Sequence, residues 1–154
     1  MSVKDTVRKQ QVRFVDRAAE QLANLSKPTE GWLAMLRNAL GMSGNQVAAR
    51  AGLSRNAIYQ AERNERDGAI TIKQMEKLAH AMGGRFVYAV IPNGTVEDVI
   101  QAQARHKAEK LIRRASAHMA LEKQALSDTQ TKQRIDELTA QLVRDMPPDF
   151  WEVK

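Results

Sequence analysis

Between Gly31 and Gly84, glycine recurs wherever a helix would have to stop, and this spacing limits the possible folds more than any other feature. "GWLAMLRNALG" reads as a helix ended by Gly41. "SGNQVAARAG" opens on Ser43 with Gln46 three residues later, a reciprocal capping pair, and stops at Gly52. "SRNAIYQAER" begins at the cap Ser54, and "TIKQMEKLAHAMGG" repeats the capping pattern with Thr71 and Gln74 before a glycine pair. Four helices in roughly fifty residues, joined by tight turns, leave no room for sheet layers, so the fold class is all-α.

The flanks extend this reading. Residues 3–25 place Val7, Phe14, Val15, Ala18, Leu22 and Leu25 at mixed three- and four-residue spacing, which predicts one apolar stripe on a helix. Lys4, Arg8, Lys9, Arg13 and Arg17 lie largely off that stripe. "SKPTEG" interrupts, because Pro28 lacks an N–H and restricts Lys27. After the glycine pair, "RFVYAVIP" is rich in β-branched and aromatic residues and predicts a strand. Phe86, Tyr88 and Val90 would face one side of it, and Val87, Ala89 and Ile91 the other. No second strand is visible, so the partner expected for this one is the same strand of a second copy, antiparallel across a two-fold axis.

Residues 95–126 resume as a helix with the stripe Ile100, Ala104, Ala108, Leu111, Ala115 and Met119. A further helix is expected over about 129–145, with Ile135, Leu138 and Leu142 inward. Pro147 and Pro148 stop it, and Phe150 and Trp151 are apolar enough to dock on their own domain, on a dimer mate or on another protein. The domain reading is an N-terminal amphipathic helix at 1–27, a helix-turn-helix domain at 28–83, a dimerisation strand at 84–94 and a C-terminal helical extension at 95–154.

Residues 43–62 have the layout of a helix-turn-helix: a short helix, a glycine at the turn and a second helix. Ala48 and Ala51 allow close crossing, and Val47, Leu53 and Ile58 supply the inner core. Arg55, Asn56, Tyr59 and Gln60 remain outward on the second helix, with Arg63 near its end. Arginine can donate two bonds to guanine, and Asn or Gln can both donate to and accept from adenine; Tyr59 can pack on a thymine methyl or bond a phosphate. Charge agrees. Residues 1–94 hold 14 Lys/Arg against 8 Asp/Glu, a net of +6, whereas residues 95–154 hold 10 of each. All the excess positive charge lies in the part expected to meet a polyanion.

Over about residues 31–83 the sequence "LRNALGMSGNQVAARAGLSRNAIYQAERNERDGAITIKQMEKLAHAMG" resembles the phage-repressor-like, XRE-type DNA-binding domains. The resemblance implies base or phosphate contacts from Ser43, Asn45, Gln46, Ser54, Arg55, Asn56, Tyr59, Gln60, Arg63 and Arg66, on double-stranded DNA with a palindromic operator. It also implies a structural ion pair between Arg37 and Glu62. Two positions depart from the pattern: Gly44 stands where relatives often carry a phosphate-binding glutamine, and Glu65 where a basic residue is common.

"GWLAMLRNALGMS", "AERNERDGAITI", "GGRFVYAVIP" and "HMALEKQ" together resemble the family called mobile mystery protein A, over about residues 28–125. Its members are typically encoded beside a Fic-domain protein, which implies an antitoxin or autorepressor and a Fic-type toxin as partner. Ser26, Glu30 and Gly31 also match the Ser/Thr-x-x-x-Glu-Gly/Asn pattern of small inhibitors of Fic enzymes, in which the glutamate occupies an anion site held by an arginine. Ser26 or Thr29 equally suits the cap of the following helix.

No catalytic constellation stands out. There is no cysteine, phosphate loop or nucleophile motif, and His80, His106 and His118 lack metal-ligand spacing, so neither enzyme activity, metal nor cofactor is expected. Arg105, Lys110, Arg113 and Arg114 read as a solvated basic face. The absence of cysteine, of a signal-like start and of any long apolar run leads to the expectation of a cytoplasmic homodimer without membrane contact.

Overall fold

The computed structural model describes residues 2–122 and 126–153. Among them lie seven helices: α1 (Val3–Leu22), α2 (Trp32–Ala39), α3 (Gly44–Ala51), α4 (Arg55–Asp67), α5 (Ile72–Ala81), α6 (Val96–Leu121) and α7 (Asp128–Asp145). The chain divides into two units: residues 23–89 form one, and residues 1–22 with 90–154 form the other. The first helix is thus grouped with the C-terminal helices.

In the unit of residues 23–89, local chemistry sets the helix ends. The Ser43 hydroxyl accepts from the Gln46 N–H while the Gln46 side chain accepts from the Ser43 N–H, closing a capping box. Ser54 accepts from the Ala57 N–H and Thr71 from the Gln74 N–H. Gly52 ends α3 in the left-handed conformation, φ 69°, where a side chain would be strained. The core joins Leu33 of α2, Val47 and Ala48 of α3, Ile58 and Ala61 of α4, and Met75 and Leu78 of α5, with Met82 just beyond. Leu53, Ala51, Ile70 and Phe86 pack around it.

The start of α2 is capped from a distance. Neither Ser26 nor Thr29 does it. The N-cap residue is Gly31, and the buried Glu65 carboxylate on α4 accepts from the N–H groups of Trp32 at 2.6 Å and Leu33 at 2.8 Å. A carboxylate at a helix N-terminus satisfies free donors and complements the positive end of the dipole.

In the other unit, α6 and α7 pack around Ala104, Ala108, Leu142 and Phe150. The two alanines, one turn apart on α6, are fully buried and leave room for a close neighbour. Ile135 and Leu138 pack against the cluster, whereas the later members of the expected α6 stripe, Leu111 and Ala115, are exposed. The expected continuation of that helix through residue 126 runs into residues 123–125, outside the described residues. Phe150 docks on its own unit: Gln103 donates to its carbonyl at 2.7 Å, Lys107 donates to the Asp149 carbonyl, and the Phe150 ring meets Trp151 edge-on. Asp16 of α1 accepts from the Val96 N–H at 2.9 Å, a second long-range cap, at the start of α6.

Two expectations fail. The stripe assigned to the first helix holds at Val15, Ala18 and Leu22 but fails at Val7, Leu25 and Phe14, the last 77% exposed; Val12, Asp16 and Ala19 complete the half-buried face. The inward face was set by what α1 packs on, including a carboxylate that caps α6, and not by where its largest apolar residue sits. The strand at residues 86–91 does not form; no strand occurs among the described residues. β-propensity alone makes no ladder, because a strand exists only through hydrogen bonds to a neighbour, and a single chain offers none here. Phe86 is half-buried against the helical core while Val87, Tyr88, Ala89, Val90 and Ile91 are exposed.

Candidate nucleic-acid interface

On α4 a helical turn of 100° per residue puts Arg55, Asn56, Tyr59, Gln60, Arg63 and Arg66 on one face and Ile58, Ala61, Glu62 and Glu65 on the opposite, buried one. Arg55, Asn56, Gln60, Arg63 and Arg66 are exposed, and Tyr59 is half-buried. At the start of α3, Ser43, Asn45 and Gln46 are also exposed, with Ser43 and Gln46 engaged in their capping box. Ser54, exposed at the start of α4, is engaged in its own cap. The two capped helix starts and the outward face of α4 belong to one helix-turn-helix, so all ten residues expected to meet DNA lie on α3, α4 or their caps.

The outward side chains are not independent. Gln60 donates to the Asn64 side-chain oxygen at 2.8 Å and accepts from Arg63 at 2.8 Å. Both ends of the Gln60 amide are thereby oriented by neighbours one turn away. The guanidinium carbon of Arg55 lies 5.5 Å from the Tyr59 ring centroid, and that of Arg37 lies at the same distance.

Beneath the face, Arg37 of α2 and Glu62 of α4 form a nearly buried ion pair. Arg37 Nε donates to Glu62 Oε1 at 2.6 Å, Nη2 to Oε2 at 3.3 Å, and Nη1 to the Met42 carbonyl at 3.2 Å. The hydrogen bond to Glu62 raises the guanidinium pKa above its ordinary value, against the opposing effect of burial. The pair ties the recognition-helix candidate to α2 by a planar, two-bond contact.

Both departures from the expected pattern have structural occupations. Gly44 is buried against the Tyr59 ring: a Cβ there would lie 2.6 Å from Tyr59 Cζ. Glu65, standing where the resembled pattern commonly has a basic residue, is buried in α4 and caps α2. A hydrogen-bonding signal for this was absent from the local sequence, since its partners are more than thirty residues away.

Elsewhere, Ser26, Glu30 and Gly31 all lie outside the helices, with Glu30 in a turn. Ser26 and Glu30 are exposed, and Gly31 is buried with φ 89°. Of the basic residues on α6, Arg105 pairs with Asp136 at 3.0 Å and with Glu109 at 3.1 Å, and Arg113 with Glu109 at 3.8 Å. The hydrogen bond that Arg105 donates to the Asp136 carboxylate raises the Arg105 pKa. No group of acidic, histidine or cysteine side chains suited to a metal occurs among the described residues, and no described helix is long and apolar enough to cross a membrane.

Residues 33–88 match the helix-turn-helix family of the XRE type. The match covers α2 to α5 and the segment that follows, and leaves α1, α6 and α7 outside it. It points to a DNA-binding transcription regulator, a kind of protein that generally performs no catalysis. No curated protein and no solved structure matches the chain.

Proposed function

We propose that this chain is a sequence-specific DNA-binding repressor that acts as a cytoplasmic homodimer and places α4 in the major groove of each half of a palindromic operator. The observation that carries this reading is the single outward face of Arg55, Asn56, Tyr59, Gln60, Arg63 and Arg66 on a helix whose other face is locked into the domain. Base-edge readers of these types supply the discrimination, and the basic excess of residues 1–94 supplies attraction to phosphate. The test is a titration of wild type and an Arg55→Ala/Gln60→Ala variant against the DNA upstream of its own gene at two salt concentrations. Loss of preference for that DNA over unrelated sequence in the variant is expected; equal affinity with the same salt slope would remove direct readout by α4.

For the dimer, support comes from residues 85–91. Their backbone groups make no hydrogen bond among the described residues, and Val87, Tyr88 and Val90 are 70%, 64% and 94% exposed. The stacked rings of Phe86 and Tyr88 fall on one side, as alternation along an extended chain requires. Pairing of this segment with its copy would satisfy both the backbone and the apolar side chains.

The resemblance to mobile mystery protein A supports a narrower role: antitoxin and autorepressor of an operon shared with a Fic-type toxin. A second reading, direct inhibition of that enzyme, is favoured by the exposed Glu30 carboxylate in the Ser26-x-x-x-Glu30-Gly31 pattern. Glu30→Ala should then release the activity of the Fic-type enzyme encoded beside it, and unchanged inhibition would leave Glu30 without that role.

A further inference from the structure

Tyr59 occupies an unusual position for a residue on a DNA-facing helix. Its ring tip fills the space over Gly44 at the first turn of α3, where any Cβ would approach Tyr59 Cζ to 2.6 Å and the hydroxyl oxygen to 2.7 Å. Its ring also meets Arg37, which is itself immobilised by two bonds to Glu62 and one to the Met42 carbonyl. The tyrosine is therefore anchored on α2 and α3 while belonging to α4. Arg55, one turn earlier on the same face and exposed, lies with its guanidinium 5.5 Å from that anchored ring.

We infer that Tyr59 is the positioning residue for Arg55, holding its guanidinium by a cation–π contact so that one base pair is read by an arginine ordered before DNA arrives, and that Gly44 is the residue that makes room for this. The inference rests on the DNA-binding reading proposed above. A free arginine on an exposed helix face loses rotamer freedom when it docks on a base edge; an arginine already resting on a ring loses less, and its planar fork is aimed. Neutralisation of Arg37 by Glu62 is what allows a second guanidinium to share the ring without strong repulsion.

The test selects the preferred site of the wild type from a pool of randomised double-stranded DNA and then measures affinity for every single-base-pair variant of that site at fixed salt. Arg55→Ala identifies the base pair that Arg55 reads. Tyr59→Leu should lose about tenfold of the discrimination at that same base pair while discrimination at the other base pairs is kept, and Tyr59→Phe should keep it at all of them. Gly44→Ala should reduce it too, by displacing the ring. Where Tyr59→Leu does not fold, the Phe and Gly44→Ala arms decide. Full discrimination in Tyr59→Leu or Gly44→Ala, a Tyr59→Phe variant as impaired as Leu, or a uniform loss across all base pairs overturns the positioning role while leaving DNA binding intact. A wild type that enriches no sequence removes the DNA-reading proposal and this inference with it.

Discussion

A side chain on Gly31 would put its Cβ 2.9 Å from the Glu65 carboxylate oxygen that accepts from the Leu33 N–H. The glycine and the glutamate are thus one device: the backbone turns at φ 89°, passes over the carboxylate and delivers the first N–H groups of α2 to it.

Glu65→Ala is expected to cost about 2–3 kcal/mol, from the loss of two charge-assisted bonds at a helix start. Gly31→Ala should cost roughly 1–3 kcal/mol through its backbone conformation and the collision with the carboxylate. Urea unfolding followed by helical circular dichroism measures both. A midpoint unchanged in Glu65→Ala would mean that water replaces the cap without loss.

Arg37→Ala strands the buried Glu62 carboxylate and should destabilise by about 3–5 kcal/mol. Replacing both partners, Arg37→Met with Glu62→Leu, should fall within about 1.5 kcal/mol of wild type, because a well-filled apolar pair avoids the desolvation cost. The folded pKa of Arg37 is raised by its bond to Glu62, so the stability the guanidinium contributes is fully present through neutral pH and is lost only as pH rises into the strongly alkaline range where arginine deprotonates. Titrating stability through neutral pH in wild type and Arg37→Met/Glu62→Leu should therefore give parallel curves; a divergence near neutrality would contradict the assignment.

Phe150 and Trp151 are adjacent but unlike. Phe150 is fully buried, and Phe150→Ala should cost about 3–5 kcal/mol. Trp151 is 53% exposed, and Trp151→Ala should cost less than half of that. Thermal melts that rank the two in the opposite order would show that the tail is held by its tryptophan.

Val90→Lys tests the dimer without touching a core, since Val90 is 94% exposed. Wild type at micromolar concentration is expected to sediment at twice 17.3 kDa and the variant at 17.3 kDa. A wild type that sediments at 17.3 kDa removes the paired-segment interface.

The helix-turn-helix was legible because its signals are local. Ser43, Ser54 and Thr71 each bond an N–H three residues away, and Gly52 and Gly68 end helices through their own backbone angles. The outward face of α4 followed from helical periodicity alone, since the buried Ile58, Ala61 and Glu62 leave only one side for Arg55, Asn56, Tyr59 and Gln60. The task of Glu65 was not legible for the opposite reason. Its identity as an acid is local information, but its task depends on a helix start 32 and 33 residues earlier.

Sequence by itself therefore determined the punctuation of the chain: where helices start and stop, and which face of α4 is polar. Tertiary structure decided what each face meets. It turned Phe14 outward and Asp16 toward the start of α6, 80 residues on, and it placed Tyr59 over Gly44 and beside two arginines. It also left residues 86–91 without the ladder their composition favours. Caps and left-handed glycines act over three or four residues, within the reach of a sequence pattern. Long-range caps, ring contacts and strand pairing need two distant segments brought together, and only packing supplies that.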